Sequence, residues 1–301
     1  MSTPAIMIDD PIEPAGVGEQ MRQRQWKVLL GATLHQWRSR IGLFIFVVMV
    51  LIALAGPLIA PHSPNEFVTA PNSPSSSAAL FGGDNLGRDV WSRFLYGGRT
   101  VLGMSAAATI IGVALGLVVG LTAAYMSGLV DEVLMRIADV FMAFPQIVLA
   151  LLLLTAFQSS VTLIVLIVGL SHAPRVARVI RGAAQQVVER DFVKAAEAVG
   201  EPRRRIIFGE LMPNVTSPLL VEVGLRLTYS IGLIAAINFL GVGLQPPTSD
   251  WGLMIQDNRL AVSVQPWGVL LPVIAIALLT IGTNLLTDGF ARAAIGIDRG
   301  E

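Results

Sequence analysis

The sequence contains no cysteine, only two lysines and few charged residues of either sign. The lack of cysteine excludes disulfide frameworks, iron–sulfur clusters, cysteine-ligated zinc and thiol catalysis. Neither Lys27 nor Lys194 follows a glycine, so a phosphate-binding loop of the form G-x-x-x-x-G-K-[ST] is impossible. The formal net charge is zero, so no nucleic acid partner is expected. The chain therefore has no ATP-binding loop of its own.

Long apolar runs dominate the chain. Hydrophobic residues make up 53% of it and charged residues 14%, against roughly 25% charged in soluble proteins. Several runs without charge, or nearly so, are long enough to cross a bilayer as helices. These runs are residues 41–60, 101–126, 140–174, 218–244 and 266–287.

The run 140–174 is too long for one crossing. The polar triplet at residues 158–160 lies near its middle, so the run predicts two helices joined by a tight turn, the second short and ending before Arg175. The sequence therefore predicts an all-α integral membrane protein with six transmembrane helices. A cleaved signal peptide is not expected, because the polar segment before the first run is too long and further spans follow.

Orientation follows from the distribution of Arg and Lys in the loops. The loops on one side of the six predicted spans, together with both termini, hold sixteen Arg and Lys residues, and the loops on the opposite side hold four: Arg88, Arg93, Arg99 and Arg259. Basic residues stay on the cytoplasmic side, so both termini are predicted to be cytoplasmic.

This orientation divides the chain into three regions. Residues 1–40 form a cytoplasmic segment with a predicted interfacial amphipathic helix, 41–290 the membrane domain, and 291–301 a cytoplasmic tail. An external loop at 61–99 and a cytoplasmic loop at 175–217 interrupt the domain. The interfacial helix is predicted from residues that recur at helical spacing: Trp26, Leu29, Leu30, Thr33 and Trp37.

A second stripe at helical spacing lies in the predicted external loop and is formed by Leu86, Val90 and Phe94. Asp89 and Arg93, one turn apart, are expected to pair.

The cytoplasmic loop 175–217 is the most patterned of the connections. One apolar edge recurs at i, i+3, i+4 and i+7 and consists of Phe192, Ala195, Ala196 and Val199. Gly200 and Pro202 are expected to end this helix, and Pro213 to stop a second short helix. A short helix with so narrow an edge needs a groove, either in its own bundle or on a partner, and the residues alone leave both open.

These residues resemble a known motif. Lys194, Ala195, Ala196, Gly200 and Pro213 are similar to the E-A-A-x-x-x-G loop, completed by I-x-L-P, of ABC importer permeases. The chain departs from that pattern where Lys194 stands for Glu, Glu210 for Ile and Met212 for Leu.

Three further stretches resemble the branch of these permeases that imports di- and oligopeptides, and sometimes nickel. They are FGGDNLGRDVWSR at 81–93, FLGVGLQPPTSDWG at 239–252 and NLLTDG at 284–289. The external branch motif includes Gly87, Arg88, Asp89, Ser92 and Arg93. Together the similarity covers residues from about 27 to 295 and points to the C-type permease subunit of the branch.

The resemblance implies a type I ABC importer permease fold in the bacterial inner membrane. It implies a second homologous permease, two ATPase subunits that bind ATP and Mg, an external substrate-binding protein and a peptide substrate, with no cofactor in this chain. Nickel is the alternative substrate. The loop helix would couple the bundle to an ATPase through Phe192, Lys194, Ala195, Ala196, Glu197, Val199, Gly200 and Pro213.

Two other functions have partial support in the sequence. A serine protease would pair Ser105 with His172, but their expected depths in the bilayer disagree. An ion-coupled carrier would need an ionisable group near the midplane, whereas Glu222 and Arg226 are expected to pair with each other and Asn238 to bond a neighbouring helix. A small-residue stripe, interpreted as helix packing, is formed by Gly112, Gly116 and Gly120.

The coupling hypothesis makes a prediction. Gly200→Trp or Ala196→Arg should uncouple transport and leave the membrane fold intact, because either bulky side chain would block docking of the loop helix. Wild-type substrate uptake by cells carrying either variant would refute the assignment.

Overall fold

The computed structural model describes residues 31–298, so Trp26, Leu29 and Leu30 of the predicted interfacial stripe lie outside the described residues. Within that range the chain is helical, and its β-structure is limited to isolated bridges such as Phe67 with Arg88. The longer helices are α1 Trp37–Ile59, α2 Val90–Met126, α3 Gly128–Ala143, α4 Gln146–Ala156, α5 Val161–Val188, α6 Asp191–Ala198, α8 Thr216–Phe239, α9 Trp251–Asn258 and α10 Trp267–Asp298. The segment α7 combines Arg203–Arg205, a π-helical stretch Ile206–Leu211 and Met212–Asn214.

The predicted spans agree with the helices that the structure describes. Among residues 31–298, five single helices are long and apolar enough to cross a membrane, and the bent pair α3–α4 brings the number to six. Helix α2 is longer than its predicted span because it starts at Val90 and runs for 37 residues. The external loop therefore ends at Asp89, and Leu86 lies before the helix rather than on its stripe.

The third span is bent, and the sequence did not predict this bend. Helices α3 and α4 meet at 82° across Phe144 and Pro145. Proline disfavours helical geometry in the preceding residue, and Phe144 accordingly adopts an extended backbone with φ −89° and ψ 134°. The predicted turn at residues 158–160 is present, with Ser160 capping the start of α5 by accepting a hydrogen bond from the Leu163 N–H.

The fourth span is longer than predicted. Helix α5 has 28 residues and continues through Pro174 and Arg175 to Val188. The prediction that this helix is short and ends before Arg175 was therefore wrong. Pro174 removes one helix hydrogen bond without ending the helix, because close packing against α2 holds the chain on both sides of it. The connection predicted at residues 175–217 is consequently shorter and begins after Val188.

The contact between α2 and α5 is a close approach of two backbones. A Cβ atom at Gly112 would lie 2.6 Å from the Gly169 carbonyl oxygen, one at Gly116 2.5 Å from the Val176 Cβ, and one at Gly120 2.6 Å from the Ala177 carbonyl oxygen. No side chain fits such gaps, so the glycines allow van der Waals contact between the helices along three turns.

One apolar core continues from this contact towards the α6 end of the bundle. Val113 and Leu121 of α2 share it with Val176, Ile180 and Val187 of α5. The loop segment contributes its buried residues to the same core: Val193, Ile206, Ile207, Leu211 and Val215. The connection between α5 and α8 is thus packed onto the bundle rather than free of it.

The glycine contact predicts a position-dependent effect of one methyl group. Gly116→Ala should lower the unfolding temperature, because its Cβ would overlap the Val176 side chain and overpacking costs about 1–3 kcal/mol. Gly103→Ala in the same helix is the matched control, since no atom outside its immediate surroundings lies within 4 Å of the added Cβ. Thermal unfolding in detergent would measure both variants, and equal unfolding temperatures would contradict the packing assignment.

Candidate functional site

Helix α6 ends in a glycine cap of the Schellman type. Gly200 has φ +84°, its N–H donates to the Glu197 carbonyl oxygen at 3.0 Å, and the Glu201 N–H donates to the Ala196 carbonyl oxygen at 3.1 Å. The left-handed backbone at Gly200 suits glycine, and it turns the chain sharply into α7. The predicted end of the helix at Gly200 therefore has a defined geometry.

The inward face of α6 differs from the predicted edge. Val193 is the anchor, with 1% of its surface exposed, and Ala196 packs partly against the same core. The exposed residues include Phe192, Ala195 and Val199 from the predicted edge, together with Ala198. We call Ala195 and Ala198 the outward ridge, because on a helix they lie opposite Val193 and Ala196.

Of the apolar edge, Ala196 thus meets the chain's own bundle, which was one of the two possibilities left open for that edge. Because it borders the core, Ala196→Arg would strain the fold itself and does not isolate docking. Val193 and Ala198 were missed, since a short helix with three alanines offers little contrast between its faces. The valine at i−3 from Ala196 was the one signal that could have set the orientation.

Charged residues occupy one flank of α6. Lys194 Nζ lies 3.6 Å from Glu189 Oε2, and both side chains are exposed. Glu197 interacts with the Tyr125 hydroxyl at the end of α2. The cation that replaces the glutamate of the motif is therefore paired inside the chain.

Pro213 does not stop the helix that precedes it. The segment α7 stays helical through Met212–Asn214, after the π-helical stretch Ile206–Leu211. A proline ring clashes with the carbonyl group one turn earlier, and the wider π turn gives it room. Pro213 lies just before Val215, where the chain enters α8.

The external branch motif forms a buried cluster of charges. Arg88 Nε donates to Asp84 Oδ2 at 2.7 Å, and Arg93 Nε lies 3.4 Å from the same oxygen. Asp257, just before the end of α9, lies 3.6 Å from each guanidinium group. The cluster joins the loop before α2 to the loop between α8 and α10, so it fixes the outer face of the bundle.

Asp89 and Ser92 of the motif act locally. Asp89 caps α2 by accepting hydrogen bonds from the Ser92 N–H at 2.9 Å and the Ser92 hydroxyl at 2.6 Å. Arg93 instead faces Asp84 and Asp257, so the predicted Asp89–Arg93 pair was wrong. Gly87 has φ +85°, and a side chain there would collide with the Thr69 carbonyl oxygen at 2.2 Å.

The second external stretch is organised by Asp250. Its Oδ1 atom accepts hydrogen bonds from Asn238 Nδ2 at 2.9 Å and from the N–H groups of Gly252 and Leu253, which begin α9. Asn238 Oδ1 accepts a hydrogen bond from the Leu244 N–H in the loop that follows α8. Asn238 was expected to bond a neighbouring helix, and it does so through Asp250, the cap of α9. Burial raises the pKa of the Asp250 carboxyl to about 6, with the three hydrogen bonds opposing that rise.

Polar groups also meet inside the bundle. His172 Nε2 lies 3.0 Å from Ser230 Oγ, which lies 3.2 Å from Thr109 Oγ1. Gln146 Nε2, next to the bend in the third span, donates to the Ser171 carbonyl oxygen at 3.0 Å. These contacts tie α4 and α5 to each other and α5 to α2 and α8.

The protease pairing does not occur in this network. His172 contacts Ser230 and not Ser105, whose hydroxyl is buried without a hydrogen-bond partner among the described residues. The pairing expected of Glu222 with Arg226 is confirmed at 3.0 Å. Within residues 31–298 no three His, Cys, Asp or Glu side chains cluster in a way that could hold a metal ion.

Helices long and apolar enough to cross a membrane, joined by a buried charge cluster and an exposed loop helix, define a polytopic membrane protein. The chain belongs to the family of binding-protein-dependent transport system inner membrane components, which matches residues 112–295. The N-terminal TM domain of oligopeptide transport permease C matches residues 25–77. Members of this family are permease subunits of ABC transporters and are not catalytic, since ATP is hydrolysed in separate subunits.

Curated relatives match over most of the chain. A putative peptide transport system permease of Brucella abortus is 36% identical over 87% of this chain and 89% of the relative. The dipeptide transport system permease DppC of Alkalihalophilus pseudofirmus is 30% identical over 96% and 95%. The glutathione transport system permease GsiD of Pectobacterium atrosepticum is 32% identical over 84% of both.

A solved structure shares the fold. A chain of the MetNI methionine ABC transporter in inward-facing conformations superposes with a TM-score of 0.51 and 17% identity, over 66% of this chain and 96% of that chain. The expected type I ABC importer permease fold is confirmed by this likeness and by the family match.

The external charge cluster predicts a large loss of stability when one partner is removed. Arg93→Met should destabilise the protein by about 3 kcal/mol or more, because Asp84 and Asp257 would keep buried charges with fewer partners. Arg259→Met is the control, since within residues 31–298 the side chain of this exposed arginine bonds only the Gln256 carbonyl oxygen, and its loss should cost about 0.5 kcal/mol or less. Denaturant unfolding in micelles would compare them, and equal losses would argue against the cluster.

The buried Asp250 carboxyl predicts a pH-dependent difference between two proteins. Its pKa is raised from 3.8 to about 6 on folding, so the stability that this proton binding contributes is present below pH 4 and lost as the pH rises through 6. Asp250→Asn resembles the protonated form, so its unfolding temperature should rise relative to wild type between pH 4 and pH 7. A difference that stays constant over this range would contradict the assignment.

Proposed function

We propose that this chain is one of two permease subunits of an ATP-driven, binding-protein-dependent importer of di- or oligopeptides. The observation that carries the proposal is the exposed outward ridge of α6, Ala195 and Ala198, on a helix that Val193 anchors to the bundle core. The names of the relatives, which transport peptides, dipeptides and glutathione, support a peptide substrate over nickel.

Helix α6 has the properties of a coupling element. Its outward ridge is made of alanine, so another protein surface can approach its backbone closely. Phe192 and Val199 flank the ridge on one side, and 83% of the Val199 surface is exposed. A large exposed valine beside exposed alanines favours burial in a groove on a partner. An ATPase subunit is the partner that the family requires.

Movement of α6 would be transmitted to the membrane helices through packed apolar side chains. Val193 shares its core with Val187 of α5, Leu121 of α2 and Leu211 of α7. A rigid displacement of α6 by ATPase closure would therefore tilt α2 and α5 together, since their glycine contact joins them. We infer that this tilt alternates the access of the pathway between this subunit and its homologous partner.

The remaining partners follow from the same proposal. The excess of Arg and Lys in the loops that include α6 supports a cytoplasmic position for that helix and for both termini. The outer charge cluster then faces the external substrate-binding protein that delivers the peptide. ATP and Mg would bind only to the two ATPase subunits.

Docking of the outward ridge is tested by arginine substitution. Ala198→Arg and Ala195→Arg should abolish most peptide uptake and the peptide-stimulated ATPase activity of the reconstituted complex, because each adds a long charged side chain to the ridge. The unfolding temperature should not fall, since neither alanine packs into the core.

The matched control is Ala78→Arg, the same exchange at an exposed position of the external loop. It should retain uptake and ATPase stimulation. Normal uptake by Ala198→Arg, or equal defects in all three variants, would show that the ridge is not the docking surface. A transport defect together with an unfolded Ala198→Arg protein would also count against an outward position of the ridge.

A further inference from the structure

The first turn of α7 carries three exposed arginines in succession, Arg203, Arg204 and Arg205, directly after the cap of α6. The N-terminus of a helix carries a positive partial charge, so cations there are electrostatically unfavourable. These arginines therefore do not stabilise the helix that they begin.

An ion pair inside the chain accounts for one of the three. Arg205 Nη1 lies 3.3 Å from Glu201 Oε2. Arg203 lies within electrostatic range of the Tyr125 hydroxyl, which also interacts with Glu197. Arg204 makes no ion pair or side-chain hydrogen bond with any residue in the range 31–298. Among those described residues it is therefore an exposed cation without a counterion, and it follows the proposed docking helix in the chain.

The flanks of the outward ridge differ in chemistry. Phe192 and Val199 form an apolar flank, whereas Lys194 and Glu197 lie on the opposite flank, where Glu197 and Arg203 both reach Tyr125. The charged flank and the first turn of α7 carry both signs, and two of their cations are ion-paired: Lys194 with Glu189 and Arg205 with Glu201. The docking surface is thus apolar on one flank and charged on the other, and Arg204 lies exposed just after the cap of α6.

We propose that the ATPase groove that receives α6 has an acidic wall, with a carboxylate that pairs with Arg204. This inference rests on the proposed coupling function and adds the chemistry of the partner surface to it. Charge complementarity of this kind fixes the orientation of docking and speeds association, while the outward ridge supplies the contact area. Phe192 and Val199 would face the apolar wall of the same groove.

The test is a binding measurement between the purified ATPase subunit and the full permease pair in detergent. Arg204→Glu should weaken binding about fivefold or more at low salt, and Arg204→Gln should weaken it less, because Glu adds repulsion to the lost attraction. Both losses should shrink as salt rises to about 0.5 M, where charges are screened within a few ångströms. Arg259→Glu, at an exposed external position, is the control and should bind like wild type.

The outcomes separate this inference from the function on which it rests. If Ala198→Arg weakens binding and Arg204→Glu does not, docking stands and the acidic wall is refuted. If neither variant weakens binding, the coupling function itself fails. A loss that appears in phosphatidylglycerol nanodiscs and not in phosphatidylcholine nanodiscs would assign Arg204 to anionic lipid and overturn the proposal.

A charge exchange provides a second, independent readout. Each carboxylate on the surface of the ATPase subunit is changed in turn to lysine and combined with Arg204→Glu. One such change should restore the binding that Arg204→Glu loses, while weakening binding to the wild-type permease. Failure of every exchange to restore binding would contradict a direct ion pair at Arg204.

Discussion

Contact between the backbones of α2 and α5 is the constraint on which the other features depend. Gly112, Gly116 and Gly120 remove the side chains that would hold these helices apart, and carbonyl groups of α5 occupy the space. This contact supports α5 through Pro174 as far as Val188. The core that begins between the two helices then continues to the loop segment, so the position of α6 follows from how closely α2 and α5 approach.

The two ends of the bundle are held by different kinds of interaction. On the outer side, Arg88 and Arg93 lie between two aspartates, and Trp251 Nε1 donates a hydrogen bond to the Phe94 carbonyl oxygen at 2.9 Å. Such directional contacts tolerate little displacement. At the opposite end, α6 is held mainly by Val193 and the partly buried Ala196. Apolar contact without fixed direction permits small adjustments, and such adjustments are what the proposed coupling to a moving ATPase subunit would need.

The bilayer explains why so much of the fold could be predicted. A helix that crosses the bilayer must be long and free of charge, so long apolar runs without charged residues mark the spans. The turn at residues 158–160 was predicted because polar residues interrupt such a run. Pro145 and Pro174 look alike in the sequence, yet the chain bends at one and continues at the other. Neighbours decide this difference: Gln146 ties the bend to Ser171, and the glycines of α2 support α5.

The same distinction applies to the candidate sites. A local pattern predicted where α6 ends, because the cap at Gly200 depends on adjacent residues, but the inward face of α6 depends on a core built from distant helices. The partner of Arg93 was missed for this reason, since Asp257 lies in helix α9, far from Arg93 in the sequence.

The anchoring of α6 through Val193 has a consequence for how such transporters diverge. The side chains on the outer half of this helix contribute nothing to the packed interior, so mutations there escape the selection that preserves the fold. They are free to change in step with the surface that they meet. Lys194, held by Glu189 in place of the glutamate of related loops, is a substitution of that kind. Pairs of subunits could thereby become exclusive to each other while the membrane bundle stays the same.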